Sequence, residues 1–271
     1  MGAIKIAISN QKGGVGKTTT AINLTDALIH FNYKVLIVDL DPQCNTTNTF
    51  GAKYEDEYSI VDVLDNEIDT KAAIQHMPMG DIIPGDRILS SQVDHFNSMM
   101  RREDLLKTKL AEVDDEYDFI IMDTPPTLGI YMINALTAAN GCVIPLQAEQ
   151  YSMDGLGELL TTIQSIKKQL NPTLEIYGTL ITRYDTRNGL DEDLKNGLPE
   201  LAKQYGFRNF DSIIRVSQDV KKAQSLKPKM NENGEPIEIV NRSLFLNYSN
   251  SNAALDYVNF TKELLEVIAN G

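Results

Sequence analysis

Short, almost uninterrupted apolar runs alternate along the chain with longer stretches whose apolar residues recur at helical spacing. Ile4-Lys5-Ile6-Ala7-Ile8, Val35-Leu36-Ile37-Val38, Phe119-Ile120-Ile121-Met122 and Cys142-Val143-Ile144 read as strands, and this alternation is the mark of a sheet buried under helices on both faces. Strands are expected at residues 3–9, 34–39, 81–84, 118–123, 141–146, 175–182 and 211–215. Helices are expected after Gly16, Ser59, Val93, Leu128, Met153, Leu190, Asp219 and Asn252, several of them opened by Asp, Ser or Asn. The predicted class is α/β, a mostly parallel twisted sheet with helices on both faces. Residues 227–241 carry two prolines and a glycine among few large apolar side chains, so a solvent-facing loop is expected. The acidic stretch 50–58 reads as a surface connection.

Composition narrows the picture. The 271 residues include 38 acidic and 25 basic ones, a net charge of −13, which excludes a uniformly basic nucleic-acid binder and requires any DNA contact to come from a local patch. The two cysteines, Cys44 and Cys142, are too few for a disulfide scaffold and suit a reducing cytoplasm. His30, His76 and His95 are too scattered to suggest a metal site. No apolar stretch approaches the roughly 18 to 20 residues that span a bilayer, and the first apolar run lacks the basic start of a secretory signal. One domain over residues 1–271 is expected, with no separate N-terminal DNA-reading domain.

The chemistry concentrates in Asn10-Gln11-Lys12-Gly13-Gly14-Val15-Gly16-Lys17-Thr18-Thr19-Thr20, between the first strand and the first helix. Backbone N–H groups of a glycine-rich turn, the positive end of a helix and the Lys17 ammonium together hold phosphate. Thr18 is then placed to ligate Mg²⁺ through its hydroxyl. The candidate nucleotide contacts are Lys12, Gly13, Gly14, Val15, Gly16, Lys17, Thr18 and Thr19. The general P-loop pattern asks for glycine at position 11, where this chain has Gln11, and a second lysine, Lys12, stands beside it. Two lysines on one loop repel each other unless phosphate charge lies between them, so a pairing of subunits across bound nucleotide is one reading of Lys12; a solvated surface charge is the other.

Two further carboxylate sites follow strands. Asp39-Leu40-Asp41-Pro42-Gln43 leaves the second run beside the expected phosphate pocket. Asp39 reads either as a helper in a metal shell or as a strand-end carboxylate. The run 119–122 ends in Asp123-Thr124-Pro125-Pro126, which reads as a Walker B strand whose aspartate holds Mg²⁺ directly or through water.

Taken together, the K-G-G-x-G-K-T loop, the D-L-D-P-Q and D-T-P-P segments and the stretches 134–139, 143–151 and 155–156 resemble the ParA/MinD family of P-loop ATPases with a deviant Walker A motif, and within it the small Soj/ParA type. The resemblance implies a P-loop fold and Mg²⁺-dependent ATP hydrolysis that is weak without a partner. It makes Lys12, Lys17 and Asp41 the catalytic set, with Lys12 crossing a dimer interface and Asp41 orienting the attacking water. Thr18, Asp41 and Asp123 would serve the metal. It further implies an ATP-bound homodimer on nonspecific double-stranded DNA, a ParB-like partner, and a cytoplasmic, nucleoid-associated location. Arg187 and Arg215 fall in segments resembling those that carry the family's DNA-contacting arginines, and Lys221 and Lys222 join them in a basic C-terminal third, whose bland alternative is scattered solubilising charge. Adenine recognition is expected around residues 182–185 and 214–216.

Rival readings fit less well. A MinD-like regulator at a membrane needs a basic amphipathic terminal helix, whereas residues 254–270 set Lys262 against Asp256, Glu263 and Glu266. An iron–sulfur carrier needs interface cysteines in other positions. An ATP-dependent metabolic ligase of related fold lacks any substrate signature here.

Overall fold

A computed structural model describes residues 2–55, 57–148, 153–185, 187–229, 231 and 238–270. Among these residues eight strands form one sheet in the order β3-β4-β2-β5-β1-β6-β7-β8. They are β1 (Ile4–Ile8), β2 (Val35–Asp39), β3 (Gln75–Met77), β4 (Gly80–Ile83), β5 (Phe119–Asp123), β6 (Gly141–Leu146), β7 (Glu175–Tyr184) and β8 (Asn209–Arg215). All pairings are parallel except β3 with β4. The helices are α1 (Lys17–His30), α2 (Asn45–Phe50), α3 (Ile60–Leu64), α4 (Val93–Ser98), α5 (Leu105–Leu110), α6 (Ile130–Ala138), α7 (Met153–Gln169), α8 (Gly189–Tyr205), α9 (Gln218–Gln224), α10 (Leu244–Tyr248) and α11 (Asn252–Asn270).

The two-residue period of the strands divides the core. On β2 and β5, Leu36, Val38, Ile120 and Met122 face one layer, packed with α6 and α7. Val35, Ile37, Phe119 and Ile121 face the other, where α1 and α11 cover the sheet. Central strands buried on both sides read as continuous apolar runs for this reason, and β2, β5 and β6 are buried at every position.

The structure agrees with the seven expected strands and adds an eighth. Strand β3 is a three-residue polar edge that no apolar run announces. Short helices α2, α5 and α10 were also unannounced, being five or six residues long and too brief to establish a 3.6-residue period. Phe50, read as the start of a surface connection, instead ends α2 and is fully buried. On the terminal helix Leu264 is fully buried, while Leu255 is 50% exposed. In the 227–241 loop, residues 227–229, 231 and 238–241 take no regular structure, and residues 230 and 232–237 lie outside the described residues, as do 149–151 of the stretches that carry the family resemblance.

One buried carboxylate fastens the C-terminal helices to α1. Asp26 on α1 accepts from Ser243 Oγ at 2.9 Å and from the backbone N–H groups of Leu244 at 2.8 Å and Phe245 at 3.3 Å. Burial still raises its pKa above the ordinary 3.8 despite these donors. A carboxyl whose folded pKa lies above its unfolded one favours folding most below about pH 4 and loses that contribution as pH rises through the folded value. Replacing Asp26 by Ala strands three buried donors and is expected to cost about 2–3 kcal/mol of stability, read as a lower midpoint in urea. Asp26→Asn, which keeps an acceptor and removes the titration, should flatten the dependence of the melting temperature on pH above pH 4; an unchanged dependence would show that Asp26 does not set it.

Candidate functional site

The loop between β1 and α1 is built as an anion cradle. Gly14 and Gly16 have φ of 77° and 86°, the left-handed region that glycine enters without strain. A Cβ on Gly16 would also stand 3.2 Å from Thr182 Oγ1. Helix α1 begins with no side-chain cap and no acidic residue in its first turn, so its leading N–H groups and dipole are left for an anionic ligand. Asn10 braces the loop, donating through Nδ2 to the Pro145 carbonyl at 2.8 Å and accepting from Lys12 N at 3.0 Å. Gln11, which occupies the first glycine position of the general motif, donates to the Gly155 carbonyl at 2.6 Å and to Glu158 at 3.1 Å. That departure therefore ties the loop to α7. Thr182 ties it from the other side, its hydroxyl lying 2.8 Å from the Val15 carbonyl and 3.1 Å from that of Leu146.

Lys17 is 6% exposed, and its Nζ donates to the Lys12 carbonyl at 2.7 Å. Burial lowers its pKa, with Asp123 and Asp41 pulling the other way. Three carboxylates converge here because the parallel register brings strand ends together: Asp39 on β2 is the partner of Asp123 on β5. Both are fully buried, and desolvation raises both pKa values, reinforced at Asp39 by repulsion from Asp41 and at Asp123 by repulsion from Asp39 and Asp41. Their hydrogen bonding differs. Asp39 has both oxygens engaged, Oδ1 by Asp41 N and Oδ2 by the backbone and hydroxyl of Thr47. Asp123 Oδ2 accepts from Thr46 Oγ1 at 2.8 Å, and its Oδ1 has no partner among the described residues.

An orphaned buried carboxylate oxygen beside the Thr18 hydroxyl suits a hard cation. Mg²⁺ keeps several waters and takes nucleotide phosphate oxygens, so one or two protein ligands suffice. Among the described residues no group of three or more His, Cys, Asp or Glu is placed to hold a metal ion. Asp41 is 7% exposed and its Oδ1 accepts from Gln43 N at 2.9 Å.

A cleft of 470 Å³ unites these parts, a size that suits a small-molecule ligand. Gly13, Gly14, Gly16, Lys17, Thr18, Thr19 and Asp41 line one end, and Thr182, Arg183, Ile214, Arg215 and Val216 line another part. Tyr184 and Asp185, from the expected adenine segment, do not line it, nor do Lys12 and Val15 from the P-loop or the fully buried Asp123. Lys12 is half-buried beside the loop. Arg183 enters the wall with φ of 54°, a conformation costly for a residue with a side chain and typical of sites held in place by their surroundings.

Sequence reasoning missed Gln218, Val220, Gln224 and Tyr257 of the wall, which belong to α9 and α11 and carry no local nucleotide motif. It also missed Thr46 and Thr47. Both lie within five or six residues of Asp41, where two adjacent threonines just past a strand-end aspartate were the available signal.

The four candidate DNA contacts do not form one open patch. Arg215 and Lys221 line the cleft. Arg215 is also held by Asp256, with Nη2 2.6 Å from Oδ1 and Nε 2.9 Å from Oδ2. Arg187 is exposed and bonded to Asp185 at 2.6 Å, and Lys222 is paired with Asp219 at 2.9 Å.

Comparison with known proteins gives a consistent grouping. An AAA domain family model matches residues 3–176. The chain is 36% identical to the sporulation initiation inhibitor protein Soj of Bacillus subtilis, over 100% of both chains. It is 37% identical to the chromosome partitioning protein ParA of Caulobacter vibrioides over 225 residues, 81% of this chain and 83% of that one. Among solved structures, cobyrinic acid a,c-diamide synthase of Mycobacterium smegmatis with bound ATP analog and magnesium is 30% identical, with a TM-score of 0.78 over 99% of this chain and 97% of that one.

Proposed function

The chain belongs to the ParA/Soj family of chromosome-partitioning ATPases, and from that membership we propose that it is a DNA-partition switch which dimerises on ATP, binds DNA without sequence preference and lets go after hydrolysis. The synthase is a like fold around like nucleotide chemistry, but identity to Soj is higher, 36% against 30%. The observation that carries the reading is the cleft, in which a glycine cradle, an uncapped helix start and Lys17 meet Asp41.

Lys17 gives up the Lys12 carbonyl and turns its charge to the nucleotide phosphates, with the N–H groups at the start of α1 completing the cradle. Thr18 and Asp123 would hold Mg²⁺, which would supply charge to offset that of the phosphates. Asp41 accepts a hydrogen bond from the attacking water and orients it. Lys12, beside the P-loop but outside its own cleft, reaches the nucleotide of a second copy. A ParB-like protein stimulates turnover, and the protein works in the cytoplasm on the nucleoid. No helix among the described residues is long and apolar enough to cross a membrane.

The test is binding to a random-sequence DNA duplex with ATP·Mg²⁺, ADP·Mg²⁺ or no nucleotide, at two salt concentrations. Binding with ATP alone that weakens steeply with salt is expected, since phosphate contacts release counterions. No binding in any condition would overturn the reading. Lys12→Ala should bind ATP within about threefold of the parent yet fail to dimerise, lowering DNA affinity at least about tenfold because a dimer doubles the contacts. Sedimentation with ATP checks the first effect. Lys221→Ala should weaken DNA binding without changing the melting temperature, whereas Arg215→Ala should lower both, because it leaves the buried Asp256 carboxylate unpaired.

A further inference from the structure

Helix α2 begins four residues after Asp41 and is six residues long. Its residues Thr46 and Thr47 are fully buried and point to the two paired strand ends. Thr46 Oγ1 donates to Asp123. Thr47 donates to Asp39 Oδ2 twice, from Oγ1 at 2.7 Å and from its backbone N at 2.9 Å. The same hydroxyl accepts from Gly85 N at 2.8 Å, so its proton and one lone pair are both committed. On the other side of the carboxylate, Asp39 Oδ1 accepts from the backbone N of Asp41 at 3.1 Å. The chain of contacts runs Gly85, Thr47, Asp39, Asp41, and each link is buried. The far end of α2 is closed as well, by Arg242 Nη1 on the carbonyls of Asn48 at 3.2 Å and Thr49 at 3.0 Å.

We propose that Thr47 is a positioning residue for ATP hydrolysis: by orienting the Asp39 carboxylate, which in turn holds the Asp41 peptide, it sets where the Asp41 side chain meets the attacking water. The inference rests on the reading that Asp41 orients that water. Asp39 on this account is neither a metal ligand nor a bystander. Its oxygens are spent on the backbone of the residue two positions on and on α2. The Asp41 carboxylate has its own bond to Gln43 N within the same turn, so the turn is held at both ends. A shift there would leave the P-loop, and therefore ATP binding, untouched.

The experiment is steady-state hydrolysis of Thr47→Val and Thr47→Ser beside the parent and Asp41→Ala, with binding of a fluorescent ATP analogue and the melting temperature measured for each. Thr47→Val should lower kcat by about 10- to 100-fold, the size of loss expected when a reacting group is misplaced by an ångström or so. The KM for ATP should stay within about threefold. Thr47→Ser, which keeps the hydroxyl, should recover kcat to within about threefold. If Thr47→Val does not fold, Gly85→Ala decides the matter, because its Cβ would stand 3.0 Å from the Asp39 carboxylate carbon and press on the same group from outside α2; a loss in kcat alone is expected there. If Asp41→Ala turns over normally, the premise about Asp41 falls. If Asp41→Ala is inactive while Thr47→Val or Gly85→Ala hydrolyses ATP at the parental rate, or if Thr47→Ser is as impaired as Thr47→Val, the positioning role is wrong and the premise stands.

Discussion

Asp41→Ala is expected to reduce ATP turnover by at least about 100-fold, the range seen when a group that acts on the transition state is removed, while ATP affinity stays within about threefold. The split follows from where the residue sits. On the proposed reading phosphate is held by the glycine turn, Lys17 and the start of α1, whereas Asp41 enters the cleft from beyond the end of β2 and touches none of these through a hydrogen bond. An interaction made only in the transition state lowers kcat and kcat/KM together and leaves ground-state binding alone. Because hydrolysis ends the ATP state, the variant should also stay dimeric and DNA-bound for longer after ATP is added. Single-turnover hydrolysis with labelled ATP, run beside a DNA-release time course, measures both. Turnover within about threefold of the parent would remove Asp41 from the mechanism.

Lys17→Met should separate nucleotide binding from folding. Lys17 is almost wholly buried, and desolvation of its ammonium outweighs the pull of Asp123 and Asp41. In the absence of nucleotide the charge is therefore a cost, and the long apolar side chain of methionine should leave the melting temperature unchanged or raise it. With ATP the balance reverses. Removing one member of a buried charge pair costs on the order of 3 kcal/mol, and about 1.4 kcal/mol is a factor of ten, so affinity for ATP·Mg²⁺ should fall at least about 100-fold. The thermal shift that ATP gives the parent should then vanish, since ligand stabilisation scales with occupancy of the native state. Retained affinity would mean that the cradle N–H groups alone hold the phosphates.

How far the site could be read from the chain depends on how local each contact is. The P-loop, Asp41 and Asp123 are visible because a strand end, a glycine turn and a helix start are contiguous in sequence, and each imposes its own residue types. The central strands are visible because burial on both faces leaves no room for polar residues. Edge strand β3 lacks that pressure, since an edge is only half covered, and its Gln75 and His76 resemble a loop. Thr182 could be placed near the adenine end from resemblance, yet its hydrogen bond to Val15, across 167 positions, belongs to no local pattern. The same holds for Asp26 with Ser243, 217 positions apart.

The basic C-terminal third shows the contrast most clearly. Sequence proximity groups Arg215, Lys221 and Lys222 with Arg187 as one positive face, and charge counting has no means of dividing them. Folding divides them by what each meets: Asp256, brought in by α11, fastens Arg215 at the cleft, Lys221 stands on the cleft wall, and Arg187 and Lys222 are neutralised by carboxylates two or three residues away. By itself the sequence determined the α/β class and singled out the glycine loop and the strand-end carboxylates Asp41 and Asp123 as candidates, because short-range geometry and burial restrict the residues allowed there. Only the tertiary structure decided which of Asp39 and Asp123 keeps a free oxygen, what holds Asp41 in place and which cations are already paired, because each of those outcomes is set by groups that the chain brings together from distant positions.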